Sequence, residues 1–160
     1  MHSQNLRVGV FAGVVSGAVL GSLMGSMDGL LLFIGKMAGL QGETLLLAAL
    51  YPVTGFFLHM AVSGFAGALF ATLVGSGARS FSGSLARGVA FGAALWLFGP
   101  MTAIPYLFGA GVAANWNYPA ALALAPSLAF HLAFGGVLGA SFGGWKLKSA
   151  PSGETAAPPA

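Results

Sequence analysis

The stretch GVFAGVVSGAVLGSLMGSMDG, residues 9–29, has a glycine at every fourth position. The six glycines are Gly9, Gly13, Gly17, Gly21, Gly25 and Gly29, and the residues between them are mostly apolar. In water, each interior glycine would cost a helix roughly 0.5–1 kcal/mol relative to alanine. A bilayer tolerates this penalty because unbonded backbone is far more costly there, and a face without side chains lets a neighbouring helix approach closely. The pattern therefore predicts the packing face of a transmembrane helix.

The composition of the whole chain is typical of a membrane domain. Of its 160 residues, 57% are hydrophobic and 6% are charged, and the mean hydropathy is +0.87. Soluble domains carry about 25% charged residues, so these few charges could not cover a water-exposed surface. The net charge of +3 is too small and too dispersed to indicate nucleic-acid binding. The absence of cysteine excludes disulfides and thiolate metal sites.

The hydropathy pattern predicts an all-α integral membrane domain over residues 1–148, built as a glycine-rich, close-packed bundle of four transmembrane helices. The four spans are expected at about residues 8–34, 54–74, 85–108 and 126–145. The segment 149–160, rich in Pro, Ala, Ser and Gly, is expected to be a disordered cytoplasmic tail.

Two proline-containing segments modify this simple pattern. A short interfacial helix is predicted over Glu43–Leu50, ended by the dipeptide Tyr51-Pro52. Within the third span, Pro100 and Pro105 each remove a backbone hydrogen-bond donor. We therefore expect a kink near residues 98–102.

The charged residues predict the orientation of the chain in the cell inner (plasma) membrane. In a four-span topology, the residues on one side are Arg7, Arg79, Arg87, Lys146 and Lys148. The opposite side has Lys36, Asp28 and Glu43, together with the aromatic residues Tyr51, Tyr106, Trp116 and Tyr118. By the positive-inside rule, both termini are cytoplasmic, and the aromatic residues belong to the outer interface.

Two segments of nine residues suggest an internal repeat. His59–Gly67 (HMAVSGFAG) and His131–Gly139 (HLAFGGVLG) are identical at four positions. The first and third spans match more weakly, through the alignment of Arg7 with Arg87. Both hairpins would cross the membrane in the same sense, so the predicted repeat is parallel, as in some transporters.

Both histidines of this repeat lie on small-residue rows with four-residue spacing. The row in the second span is Gly55, His59, Ser63, Gly67, Ala71 and Gly75, and the row in the fourth is His131, Gly135, Gly139 and Gly143. Residues four apart share one helix face, so both histidines should face the interior of the bundle, in its outer third. Thr102 and Tyr106 are expected as neighbours, with Asp28 nearer the outer surface.

The row in the first span also drifts around its helix. A four-residue step turns an α-helix by about 400°, so the row moves about 40° at each step. Over five steps it sweeps too wide an angle for one straight neighbour. We therefore expect the first helix to contact two partners.

Intramembrane ionisable groups are functional candidates by default, and three interpretations of the histidine pair are open. The two imidazoles could form only structural hydrogen bonds, to each other, to Thr54, Ser127 or Tyr106, or to carbonyls freed by the prolines. They could instead be the axial ligands of a single haem b, a cofactor that four-helix membrane bundles can hold. A zinc or copper site of His59, His131 and Asp28 is weaker, because it underfills the coordination shell.

No catalytic pattern accompanies these residues. The sequence lacks a Ser/His/Asp spacing, paired carboxylates, a phosphate-binding loop and a zinc-protease motif. We therefore predict a small non-enzymatic protein, an accessory or structural subunit that associates with other membrane proteins or with its own copies. One alternative is an electron-transfer protein with a single bis-histidine haem b. The other is a small transporter or channel that works as an oligomer, suggested by the prolines and the repeat.

Overall fold

The computed structural model describes residues 2–25, 45–77 and 80–148, and no strand occurs among them. Its α-helices are α1 (His2–Gly25), α2 (Leu45–Leu73), α3 (Phe81–Phe98), α4 (Ile104–Leu107), α5 (Tyr118–Ala123) and α6 (Ala125–Lys148). A 3₁₀ turn, Gly75–Gly77, follows α2, and a π-helical turn, Gly99–Ala103, joins α3 to α4.

Four segments of the described chain are helical, long and apolar enough to cross a membrane. They are Gln4–Ser22, Val53–Leu73, Phe81–Leu107 and Ala125–Lys146. These four helices confirm the prediction of an all-α, multi-pass membrane protein.

The separate interfacial helix expected before the second span does not form as predicted. From Leu45 onward the backbone is one continuous helix that passes through Tyr51 and Pro52 and ends at Leu73. A proline removes one hydrogen bond, but membrane helices tolerate such a loss where neighbouring groups compensate for it. Three other predictions lie outside the described residues: the end of the first span beyond Gly25, the position of Asp28, and the tail at 149–160.

The π-helical turn lies where the sequence predicts a kink. The N–H of Ile104 donates to the carbonyl of Gly99, five residues earlier. Two side chains then bond to carbonyls of the distorted stretch: Asn115 Nδ2 donates to Pro100 O at 2.8 Å, and Thr102 Oγ1 donates to Leu97 O at 2.8 Å. The distortion is therefore held by side chains, and the third span continues through it.

The glycines of α1 bring its backbone against that of α2. A Cβ atom added at Gly67 would collide with the carbonyl oxygen of Gly9 and would lie 2.7 Å from Gly13 Cα. Gly17 and Gly21 face α2 as well, against the side chains of Ser63 and His59. Gly25 is the last residue of α1, and Gly29 lies outside the described residues.

Four successive glycines of the row therefore face one helix, contrary to the argument from drift. The expected drift applies to a straight, parallel neighbour, whereas a helix that crosses at an angle can lie along an i, i+4 row. Helix α1 does have a second partner, α6, but it meets this helix through other residues. The rings of Phe11 and Trp145, 4.6 Å apart, are one such contact.

The pair α3 and α6 packs through glycines in the same manner. A Cβ atom at Gly88 would collide with the carbonyl oxygen of Gly135 and would lie 2.7 Å from Gly139 Cα. Ser84 Oγ donates to Gly139 O across the same interface at 2.7 Å. Both members of the pair are therefore in backbone contact.

Aromatic side chains fill the space between the two pairs. Phe70 of α2 and Phe142 of α6 are fully buried, with ring centres 5.5 Å apart in an edge-to-face arrangement. Phe91 of α3 contacts Phe70 in the same way at 5.4 Å. Three of the four spans therefore meet at one cluster of rings.

Two adjacent glycines of α6 provide a matched test of the backbone contact. We expect Gly135→Ala to destabilise the bundle by about 1–3 kcal/mol, because the added methyl group overpacks the contact with Gly88. Gly136→Ala should be neutral or stabilising, since its Cβ would meet only Val89 and Leu85 side-chain atoms at 3.7 and 3.9 Å. Thermal unfolding of both purified variants in one detergent measures the difference. Equal melting temperatures would contradict the described packing.

Candidate functional site

The side chain of His59 extends from α2 to α1, where it makes a hydrogen bond and fills the space beside a glycine. Its Nε2 atom lies 3.2 Å from the carbonyl oxygen of Gly17. A carbonyl only accepts hydrogen bonds, so Nε2 carries the hydrogen in this arrangement. A Cβ at Gly21 would approach to 3.3 Å of His59 Cδ2. The half-buried imidazole therefore occupies the space that Gly21 leaves free.

His131 makes a local bond instead. Its Nδ1 atom lies 2.7 Å from the carbonyl oxygen of Ser127, one turn earlier in α6, and therefore donates to it. The backbone carbonyl of His131 faces Gly92 of α3. In the neutral ring, Nε2 is left as the hydrogen-bond acceptor. The two histidines thus carry their hydrogen on different ring nitrogens.

No hydrogen bond among the described residues joins these two sequence-predicted histidines: His59 bonds to α1, and His131 bonds within α6. A shared ligand would have to bind the lone pairs that these bonds leave. The free lone pairs of the two rings differ, however: His59 offers Nδ1, and His131 offers Nε2. A histidine that binds a metal commonly donates one ring N–H to a carbonyl and binds the metal through its other ring nitrogen. The hydrogen bonding of His131 matches this arrangement. His59 could bind a metal through Nε2 only if its bond to Gly17 were broken.

The other predicted site residues have different partners. Thr102 Oγ1, besides bonding to Leu97 O, accepts a hydrogen bond from Trp116 Nε1 at 3.1 Å. Tyr106 is 62% exposed. None of the hydrogen bonds among the described residues joins Thr102 or Tyr106 to a histidine. Within the same part of the chain, no three His, Cys, Asp or Glu side chains form a metal-binding group, and Asp28 lies outside it.

Trp96 is a polar residue of the bundle that sequence reasoning missed. It is 8% exposed, and among the described residues its indole N–H has no hydrogen-bond partner. An unsatisfied buried donor costs about 1–3 kcal/mol. Trp96 follows Gly92, which packs against His131, by one turn of α3. A single tryptophan in an apolar span forms no spacing pattern, so nothing in the sequence indicated that its indole N–H would be buried.

Comparison of the chain with protein-family models, with curated proteins and with solved structures finds no match.

The bond between His59 and Gly17 leads to a test with matched variants. We expect His59→Phe to destabilise the protein by about 1 kcal/mol, the usual value of an interhelical hydrogen bond in a membrane protein. His131→Phe removes only a bond within α6 and should cost less. His59→Gln keeps a donor and should recover part of the loss. Thermal unfolding of the purified variants compares them, and a larger loss for His131→Phe than for His59→Phe would contradict this role.

Proposed function

We propose that the chain is a small non-enzymatic subunit of an inner-membrane assembly, with an accessory or structural role. The bonding of its intramembrane polar side chains supports a structural role. His59 donates to Gly17 O, His131 to Ser127 O, and Ser84 to Gly139 O. The groups best suited to bind a ligand are thus engaged with the backbone of the chain itself.

The observation that carries the proposal is a row of small residues on the outside of α3. This outer row is Ser82, Ala86, Ala90 and Ala94, all of them exposed. In membranes, small residues four apart let a second helix approach closely. The glycine rows of α1 and α6 face helices of the same chain, whereas the outer row of α3 faces away from the bundle. It therefore suits a transmembrane helix of a partner subunit.

Substitutions in two exposed alanines test the subunit role. Tagged full-length protein is crosslinked in native membranes and purified, as wild type, Ala90→Leu and Ala61→Leu. Ala61 is an exposed alanine of α2 and serves as the matched control. We expect one or more stoichiometric partners with wild type and Ala61→Leu, and a severalfold loss with Ala90→Leu, because the bulkier side chain prevents close approach. Equal recovery from all three, or a monodisperse monomer from wild type, would contradict the proposal.

Ligation of a single haem b by His59 and His131 is the second candidate function. What favours it is the geometry of His131, whose Nδ1 donates to a carbonyl and whose Nε2 is left for iron. His59 fits less well, since its Nε2 is bonded to Gly17 O. Absorbance spectra of the same purified protein, oxidised and reduced, distinguish the candidates. A Soret band lost in both His59→Ala and His131→Ala would favour the cytochrome, and its absence after expression with adequate haem would eliminate it.

We also infer that the hairpins α1–α2 and α3–α6 are two copies of one packing unit. In support, Gly13 contacts Gly67 as Gly88 contacts Gly139. The second helices keep the offset of the histidines, since 131 − 59 and 139 − 67 both give 72. The first helices correspond at 88 − 13 = 75, rather than at the offset of 80 given by Arg7 and Arg87.

We further propose that both termini are cytoplasmic. In support, Arg87 Nη1 lies 3.4 Å from Val74 O, and Lys146 Nζ lies 3.0 Å from Gly75 O, so both cations lie at the end of α2. Cations are favoured on the cytoplasmic side. Reporter fusions after Gly77 and Lys148 should both report a cytoplasmic location, and a reporter after Ala113 an external one. The opposite result at Gly77 or Lys148 would refute this topology.

A further inference from the structure

A solvent-open cavity of about 440 Å³ lies where α2 ends and α3 begins. It is lined by Gly77, Ser80, Gly83 and Arg87. Its volume is within the range of small-ligand sites in proteins. Two of its lining residues are glycines, and the guanidinium of Arg87 lies where a side chain at Gly77 would be. The amide of Gly83 is already bonded to Ser80 Oγ at 3.1 Å, so the helix end itself offers little to a ligand.

Arg87 has unused hydrogen-bonding capacity at this cavity. Its guanidinium lies against Gly77, and its one hydrogen bond within the described part of the chain runs from Nη1 to Val74 O at 3.4 Å. A guanidinium has five N–H donors in a planar fork that suits the oxygens of a phosphate or carboxylate. Most of these donors are therefore available to an oxyanion in the cavity.

A second cation lies close to Arg87. Lys146 Nζ donates to Gly75 O at 3.0 Å, next to the carbonyl of Val74 that Arg87 contacts. Its ammonium group also lies 5.8 Å from the centre of the Phe142 ring. Two positive charges thus meet at neighbouring carbonyls of one chain segment. The partial negative charge of the end of α2 offsets them in part.

The described residues offer no counter-ion to this pair. The chain has three acidic residues, Asp28, Glu43 and Glu154, and all of them lie outside the described segments. Cations gathered at a membrane surface without carboxylates attract anionic lipid head groups. Basic pockets between transmembrane helices bind such head groups.

We infer that this cavity binds a phosphate group, supplied by an anionic phospholipid of the surrounding leaflet. The guanidinium of Arg87 donates hydrogen bonds to the phosphate oxygens. The ammonium group of Lys146, bonded to the carbonyl of Gly75, adds a second positive charge nearby. The head group occupies the cavity that Gly77, Ser80, Gly83 and Arg87 line. This site is independent of the proposed subunit role, because the outer row of α3 takes no part in it.

The test measures how much an anionic lipid raises the melting temperature. Full-length protein is reconstituted in nanodiscs of phosphatidylcholine alone or with phosphatidylglycerol, and as a third condition in phosphatidylcholine with inorganic phosphate. We expect phosphatidylglycerol to raise the melting temperature of the wild type by about 3 °C or more. Arg87→Gln should lose most of this rise. Arg7→Gln, a matched loss of one positive charge at the same end of the bundle, should keep it.

Each remaining outcome also decides the question. If Arg87→Gln keeps the rise, or Arg7→Gln loses as much of it, only general attraction to the membrane surface is present, and the site is refuted. If inorganic phosphate alone gives the rise and Arg87→Gln abolishes it, the phosphate site stands, with a soluble source. Should Arg87→Gln fail to fold, Gly83→Leu fills the cavity with Arg87 intact and must also lose the rise.

Discussion

Helix association inside a bilayer lacks the hydrophobic term that drives it in water, because lipid tails are as apolar as leucine. What remains is van der Waals contact and hydrogen bonding, and both depend on how closely two backbones approach. In this protein the approach is set by glycines that face each other, at Gly9, Gly13 and Gly67 in one pair of helices and at Gly88 and Gly139 in the other. The bond from His59 to Gly17 O requires that same closeness. A bulkier residue at Gly13 would therefore disturb packing and the histidine together.

Larger side chains then join the two close pairs. Phe70, Phe91 and Phe142 come from three different helices and meet edge to face, which is the preferred geometry of aromatic rings. Helix α1 completes the bundle by packing against α6 as well as α2. The glycines thus set the distance within each pair, and the two pairs are joined by the phenylalanines and by the contact of α1 with α6.

The sequence predicted the features that depend on composition and period. The four spans follow from hydropathy, and the distortion near Pro100 follows from proline chemistry, and both are local properties. Features that depend on which helices meet could not be predicted in this way. Gly9, Gly13, Gly17 and Gly21 of α1 all face α2, because the angle at which helices cross depends on both partners. The helix that continues through Pro52 and the bond between Thr102 and Trp116 likewise depend on tertiary neighbours. The same holds for the indole of Trp96, which has no hydrogen-bond partner in the described part of the chain.

The similarity of the two glycine interfaces has a consequence for assembly. Gly64 is covered by Val14, with Val10 beside it, and Gly136 is covered in the corresponding way by Val89 and Leu85. Helices that present nearly the same surface can exchange partners, within one chain or between two copies, in the manner of a domain swap. Correct pairing then depends on the order in which the helices enter the membrane. Each hairpin can close as soon as its second helix is inserted, so α1 and α2 can pair before α3 and α6 enter the membrane.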